Sequence, residues 1–141
     1  MTHLQAVAWL SAGLALLLGL SGCEEGRGSE MKPGDDFTLT SSAFADKGHI
    51  PAAYGCGKER NWRKPSVPLT WAKAPQGTKS FVLLMDDPDP VARYWVHWLV
   101  VDVPAETMAL AKGASGAAMP AGARELTNSF GEAGYGVVPV E

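Results

Sequence analysis

The chain has 141 residues, 46% of them hydrophobic, with 12 Lys and Arg against 15 Asp and Glu for a net charge of −3. That length bounds it to one domain, and an apolar fraction this high with so small a charge excludes a disordered chain. Its cations fall singly or in pairs, the densest stretch being Lys58 to Lys64 with Glu59 among them, so no basic stripe points to nucleic acid.

Trp9 to Leu20 is an uncharged apolar run, about as long as a signal-peptide core and too short for an ordinary membrane-spanning helix. It closes on Leu20-Ser21-Gly22-Cys23, which resembles the lipobox of bacterial lipoproteins, where the chain is cut and the cysteine lipidated. Residues 1 to 8 carry His3 but neither Lys nor Arg, so the usual basic start of such a leader is missing. The expectation is an exported protein of the bacterial cell envelope, lipid-anchored on the periplasmic side through Cys23. Residues 1–22 are then a signal peptide outside the fold, and cutting them from 141 leaves 119. Residues 23–36 read as a flexible, net acidic tether, and 37–141 as the folded domain.

Phe37-Thr38-Leu39-Thr40 alternates apolar and polar and predicts a first strand, with a turn-like stretch from Ser41 to Ile50. Pro75 to Lys79 predicts a turn carried by proline and glycine. Phe81 to Met85 and Trp95 to Val101, rich in β-branched and aromatic residues, predict two buried strands. Between them Asp86, Asp87 and Asp89 alternate with Pro88 and Pro90, which fix φ and withhold two backbone donors. Strict alternation along the second of these strands puts Trp95, His97, Leu99 and Val101 on one face and Val96, Trp98 and Val100 on the other. Ala105 to Ala111 predicts a short helical turn, and Gly113 to Gly122 a loop. With Cys23 lipidated, Cys56 is the one thiol left, and it reads as a small buried hydrophobe.

These segments in this order resemble the phosphatidylethanolamine-binding protein family, in particular its bacterial branch called Raf-kinase-inhibitor-like. Asp87-Pro88-Asp89-Pro90 followed by Trp95-Val96-His97-Trp98 is similar to the family's DPDAP and HW, without the alanine. Ile50-Pro51-Ala52-Ala53-Tyr54-Gly55-Cys56-Gly57 resembles its IP-x-x-Y-x-C-x-G, and Pro65-Ser66-Val67-Pro68-Leu69-Thr70-Trp71 its S-P-P-L-x-W. Asn128-Ser129-Phe130-Gly131 with Gly134-Tyr135-Gly136 resembles N-x-F-G-x-x-G-Y-x-G. The likeness runs from about Phe37 to Gly136. It implies a mostly β, antiparallel Greek-key fold of a large and a smaller sheet with few short helices. The family pattern would continue as GPCPP, then G-x-HRY-x-F and a closing helix, where this chain reads Val137-Val138-Pro139-Val140-Glu141. The resemblance therefore implies a domain incomplete at its C-terminus, with Trp95 to Val101 among the strands left without a neighbour.

The same resemblance implies a pocket for an anionic ligand, lined by Asp87, Asp89, His97, Trp95 and Tyr135. Carboxylates beside an anion look paradoxical, since like charges about 4 Å apart repel by roughly 4 kcal/mol at an effective dielectric of 20. Either a carboxylate holds His97 as imidazolium, which then faces the anion, or an aspartate is protonated and donates. Backbone donors of the Gly131 to Gly136 loop would complete the cradle. Without the resemblance, His97 reads as a satisfied core histidine and the aspartates as a solvated turn, as Asp86 does even with it. Trp95 and Trp98 are first of all core aromatics.

Enzyme signatures are thin. Ser115 lies in Gly-Ala-Ser-Gly-Ala, which misses the nucleophile elbow at its last place, and Arg60 breaks a G-x-G-x-x-G begun at Gly55. His49 and His97 come from unrelated segments, which does not suggest zinc, and no cofactor is expected. The function expected is non-catalytic binding of a phosphate-type ligand or phospholipid headgroup, as an inhibitor or scavenger in the cell envelope, with the membrane as partner through the N-terminal lipid. The alternatives are a phosphoester hydrolase using Asp87, Asp89 and His97, and a non-functional truncated product.

Overall fold

The computed structural model describes residues 3–9, 36–56, 64–88 and 94–139; Cys23, Asp89 and nearly all of the tether lie outside them. The large sheet has four strands in the order β1 (His3–Trp9), β5 (Ser80–Asp87), β6 (Trp95–Pro104) and β8 (Arg124–Glu125). The smaller sheet orders β2 (Thr38–Thr40), β4 (Leu69–Ala72) and β7 (Ala109–Leu110). All these pairs are antiparallel, while β3 (Gly55–Cys56) and β9 (Val138–Pro139) form a short parallel pair. The chain passes from β4 in the small sheet to the β5–β6 hairpin of the large one, returns to β7 and comes back to β8. This is the Greek-key, mostly β fold expected.

Period-two patterning explains which faces meet. In β4, Leu69 and Trp71 are buried while Thr70 and Ala72 are exposed, and in β5 Phe81, Leu83 and Met85 turn inward. The Phe81 ring joins the two sheets, meeting Trp71 edge-on at 5.6 Å and stacking on Phe37 at 6.2 Å. Met85, Trp98, Val100 and Val103 are fully buried, and burying an apolar side chain of this size contributes about 1.5–3 kcal/mol.

The structure departs from the sequence reading in four places. Among the described residues there is no helix: Ala105 and Glu106 make a tight turn in which Thr107 N–H donates to Pro104 O, and β7 follows at once. Asp86 and Asp87 belong to β5 rather than to a solvated turn, and Asp86 is buried. The alternation expected along β6 is interrupted twice. Between Phe81↔Val103 and Leu83↔Val100, β6 uses one residue more than β5, and the register slips again between Met85↔Trp98 and Asp86↔Val96, skipping His97. At the first bulge Asp102 adopts a left-handed φ of 57°, which Asp tolerates better than most residues, and Arg124 Nε and Nη2 both donate to its Oδ2 at 2.9 and 2.7 Å.

The fourth departure concerns sheet edges. β6 is not left without a neighbour: β8 pairs with Val100 and Val101, and Leu126 and Ser129 donate to the carbonyls of Leu99 and Val96. It is β5 whose outer edge is covered, by β1, a segment that the sequence reading places outside the fold, in a register running from His3↔Asp86 to Trp9↔Ser80. A central apolar strand presents unpaired donors and acceptors that an extended segment satisfies, whatever that segment was made for.

Candidate functional site

The site is built where β5 ends and β6 begins. Asp87 stands opposite Trp95 and Asp86 opposite Val96, with His97 as the extra residue of the bulge beside them. A bulge redirects a side chain out of the alternation, which is why His97 and its neighbour Trp98 are both buried, at 1% and 0% exposure. Neither His97 Nδ1 nor Nε2 has a hydrogen-bond partner, nor has Asp86 Oδ1.

Burial pushes the His97 pKa below its ordinary 6.5. Asp87 opposes this most strongly, followed by the backbone of Val137 and Gly136, which the ring approaches without reaching good hydrogen-bond geometry, and then by Asp86. Desolvation wins, so in the empty site the imidazole is neutral at pH 7, not the preformed imidazolium of the first arrangement considered above.

The wall opposite β6 is the segment 128–136, shaped by Asn128. The Asn128 Oδ1 accepts from Phe130 N–H at 2.9 Å and Glu132 N–H at 3.3 Å, and Nδ2 donates to Gly134 O at 3.0 Å. Ser129 pins the segment to β6: its N–H donates to Val96 O, and its Oγ accepts from Val96 N–H, both at 2.9 Å. Phe130 then meets Trp95 edge-on at 5.2 Å and His97 at 5.8 Å. A Cβ on Gly136 would lie 2.6 Å from the Phe130 ring, so only glycine permits this approach.

Asp87, Trp95 and His97 are thus brought together, and Asp89 lies outside the described residues. Tyr135 takes a structural position. Its ring meets Trp98 edge-on at 5.6 Å, its hydroxyl donates to Tyr54 O at 2.8 Å, and burial, aided by Tyr54, raises its pKa. Four of the six backbone donors expected to cradle an anion are engaged within the protein. Gly131 and Glu132 N–H donate to Asn128, Tyr135 N–H to Ser115 Oγ, and Gly136 N–H to His97 O. The residues missed in the sequence are Phe130, Asn128 and Glu125. Glu125 accepts from Trp98 Nε1 at 2.7 Å through Oε1 and from Gly116 N–H at 2.8 Å through Oε2, tying β6 to the 113–122 loop. Phe130 and Asn128 lie in the N-x-F-G motif itself, but its glycines drew the attention.

Comparison with known proteins bears on the fold and family. A family profile described as phosphatidylethanolamine-binding protein matches residues 40–139. Among curated proteins, a UPF0098 protein of Aquifex aeolicus is 38% identical over 97 residues, 68% of this chain and 54% of that protein. LppC of Mycobacterium tuberculosis (strain H37Rv), whose name carries the word lipoprotein, is 34% identical over 143 residues, 89% of this chain and 67% of that one. The solved structure of Escherichia coli YbcL, titled a new member of the mammalian PEBP family, superposes with a TM-score of 0.67 at 34% identity. The superposition covers 74% of this chain and 67% of that one. This chain spans about half to two thirds of the length of these relatives.

Proposed function

The chain belongs to the phosphatidylethanolamine-binding protein family, and on that premise we propose that His97 is the recognition group of a non-catalytic site for a phosphate-type anion, a phospholipid headgroup or a small phosphate ester. The observation that carries this reading is a histidine at 1% exposure with both ring nitrogens unpartnered. A buried polar group without a partner costs on the order of 1–3 kcal/mol, which an anionic acceptor would recover. With the N–H groups of Gly131, Glu132, Tyr135 and Gly136 engaged elsewhere, the imidazole offers an N–H that the anion can take.

The test is a pH profile of glycerophosphoethanolamine binding, because its phosphodiester keeps one charge over the range used. The pKa of His97 lies below 6.5 in the free protein and rises beside a bound anion, so binding takes up a proton between the two values. Affinity should therefore fall by up to about tenfold per pH unit as pH rises through that window. His97→Ala should lower affinity and flatten the profile. Binding by the wild-type chain that is constant from pH 5 to 8 would make His97 a structural residue.

The leader and the likeness to LppC support a lipid anchor at Cys23 in the cell envelope. Expressed in a bacterium, the chain should incorporate labelled fatty acid and fractionate with membranes, and Cys23→Ala should abolish both. Equal labelling of the two forms would rule the anchor out.

A further inference from the structure

His97 raises a physical question that its unpartnered nitrogens do not answer: how a ligand reaches a side chain of which 1% is exposed. The ring beside it, Phe130, is 41% exposed, so the aromatic stands between solvent and imidazole. Its ring contacts include Trp95 and the imidazole, and it lies close over the bare backbone of Gly136. The main chain around it is fastened on both sides, by Asn128 and Ser129 before it and by Glu132 after it. Between these anchors Gly131 holds a φ of +86°, which a side chain would strain, and its N–H donates to Asn128 O, so the backbone beside the ring is fixed and the ring moves about its own side-chain torsions. An exposed aromatic held by ring contacts, between fixed anchors, is a part that moves while its frame stays.

We infer that Phe130 is a removable cover over His97, seated by Asn128, which shields the imidazole in the empty protein and has to swing aside for an anion to enter. This rests on reading His97 as the ligand site, and it adds a gate to that reading. The cover makes the open, binding-competent form a minority, so apparent affinity and association rate are both reduced by the open fraction. Asn128 acts through Phe130 and is a positioning residue.

The experiment reads the cover without any ligand. Diethyl pyrocarbonate modifies accessible neutral imidazoles, and peptide mapping resolves His97 from the exposed His49, which serves as the internal reference. In the wild-type chain His97 should react at least about tenfold more slowly than His49. Phe130→Ala should bring the two rates together, Asn128→Ala should move His97 in the same direction, and Phe130→Leu, which keeps an apolar cap, should restore most of the protection. A cooperative melt in each variant separates uncovering from unfolding, and if Phe130→Ala does not melt cooperatively Asn128→Ala carries the comparison, unchanged His97 reactivity in its folded form then overturning the proposal. Unchanged His97 reactivity in folded Phe130→Ala would overturn the proposal. In a second arm, glycerophosphoethanolamine and inorganic phosphate should associate about tenfold faster with Phe130→Ala, the first modelling a lipid headgroup and the second a free anion. If His97 is unmasked and neither probe binds, the cover stands and the binding function falls.

Discussion

A chain that starts at Cys23 is expected to melt about 10 °C below the uncut chain and to self-associate. In the uncut chain β1 pairs with β5 over seven residues, from His3↔Asp86 to Trp9↔Ser80. About half of the backbone donors and acceptors of Ser80–Asp86 point to that side, and their hydrogen bonds are worth about 1 kcal/mol each net. A chain without β1 loses about seven of them, roughly 7 kcal/mol, and no longer has to order β1, which gives back part of that. A net loss of roughly 3 kcal/mol is expected, and in a domain of this size each kcal/mol moves the melting temperature by about 2–8 °C. The exposed edge is long, flat and flanked by Phe81, Leu83 and Met85, the kind of strand that recruits another chain. Calorimetry and light scattering on Cys23→Ala and on residues 23–141 would measure both effects. A monomeric 23–141 chain with an unchanged melting temperature would show that β1 adds nothing to the sheet. The vulnerable edge is β5, not β6 as the family pattern alone suggested, because β8 and Leu126 to Ser129 already cover β6.

How far the fold was legible depends on whether its cause is local. β5 and β6 announce themselves because Phe81 to Met85 and Trp95 to Val101 are apolar runs rich in β-branched and aromatic residues, while β4 is legible through its likeness to a family segment. A bulge leaves no such mark. Trp95 to Val101 reads as an unbroken strand, and only its pairing with β5 shows that His97 is skipped. β8 is two residues, Arg124 and Glu125, with no apolar pattern, and exists because β6 offers an edge.

The site divides the same way. Asp87, Trp95 and His97 were found because they lie within eleven residues of one another, around a single hairpin turn. Phe130 stands 33 residues from His97 in sequence and meets it only because Asn128 folds its loop back over β6. The sequence offers the glycines of the 131–136 loop both as sites of backbone donors and as positions that permit close approach and unusual φ. Their physical role is to make room, Gly131 for the turn and Gly136 for the Phe130 ring.

The largest single-residue effect is expected at Trp98. Its side chain is fully buried between β5 and the 113–136 region, with Met85 across the strand pair, Tyr135 edge-on at 5.6 Å and Glu125 on its indole N–H. Trp98→Ala should cost about 3–5 kcal/mol, the usual range for truncating a core aromatic. Against a total of about 5–15 kcal/mol for ordinary domains this brings the protein close to unfolding. Two milder changes separate packing from hydrogen bonding. Trp98→Phe keeps a ring but leaves Glu125 Oε1 without its donor, for an expected loss of about 1–3 kcal/mol. Glu125→Ala strands Trp98 Nε1 and frees Gly116 N–H together, so its cost should be at least as large. If the two act through one hydrogen bond, the double change Trp98→Phe with Glu125→Ala should cost less than the sum of the single ones, by at least about 0.5 kcal/mol in denaturant titration. Strict additivity would mean that the indole N–H contributes nothing, and that the 113–122 loop is held to β6 by packing alone.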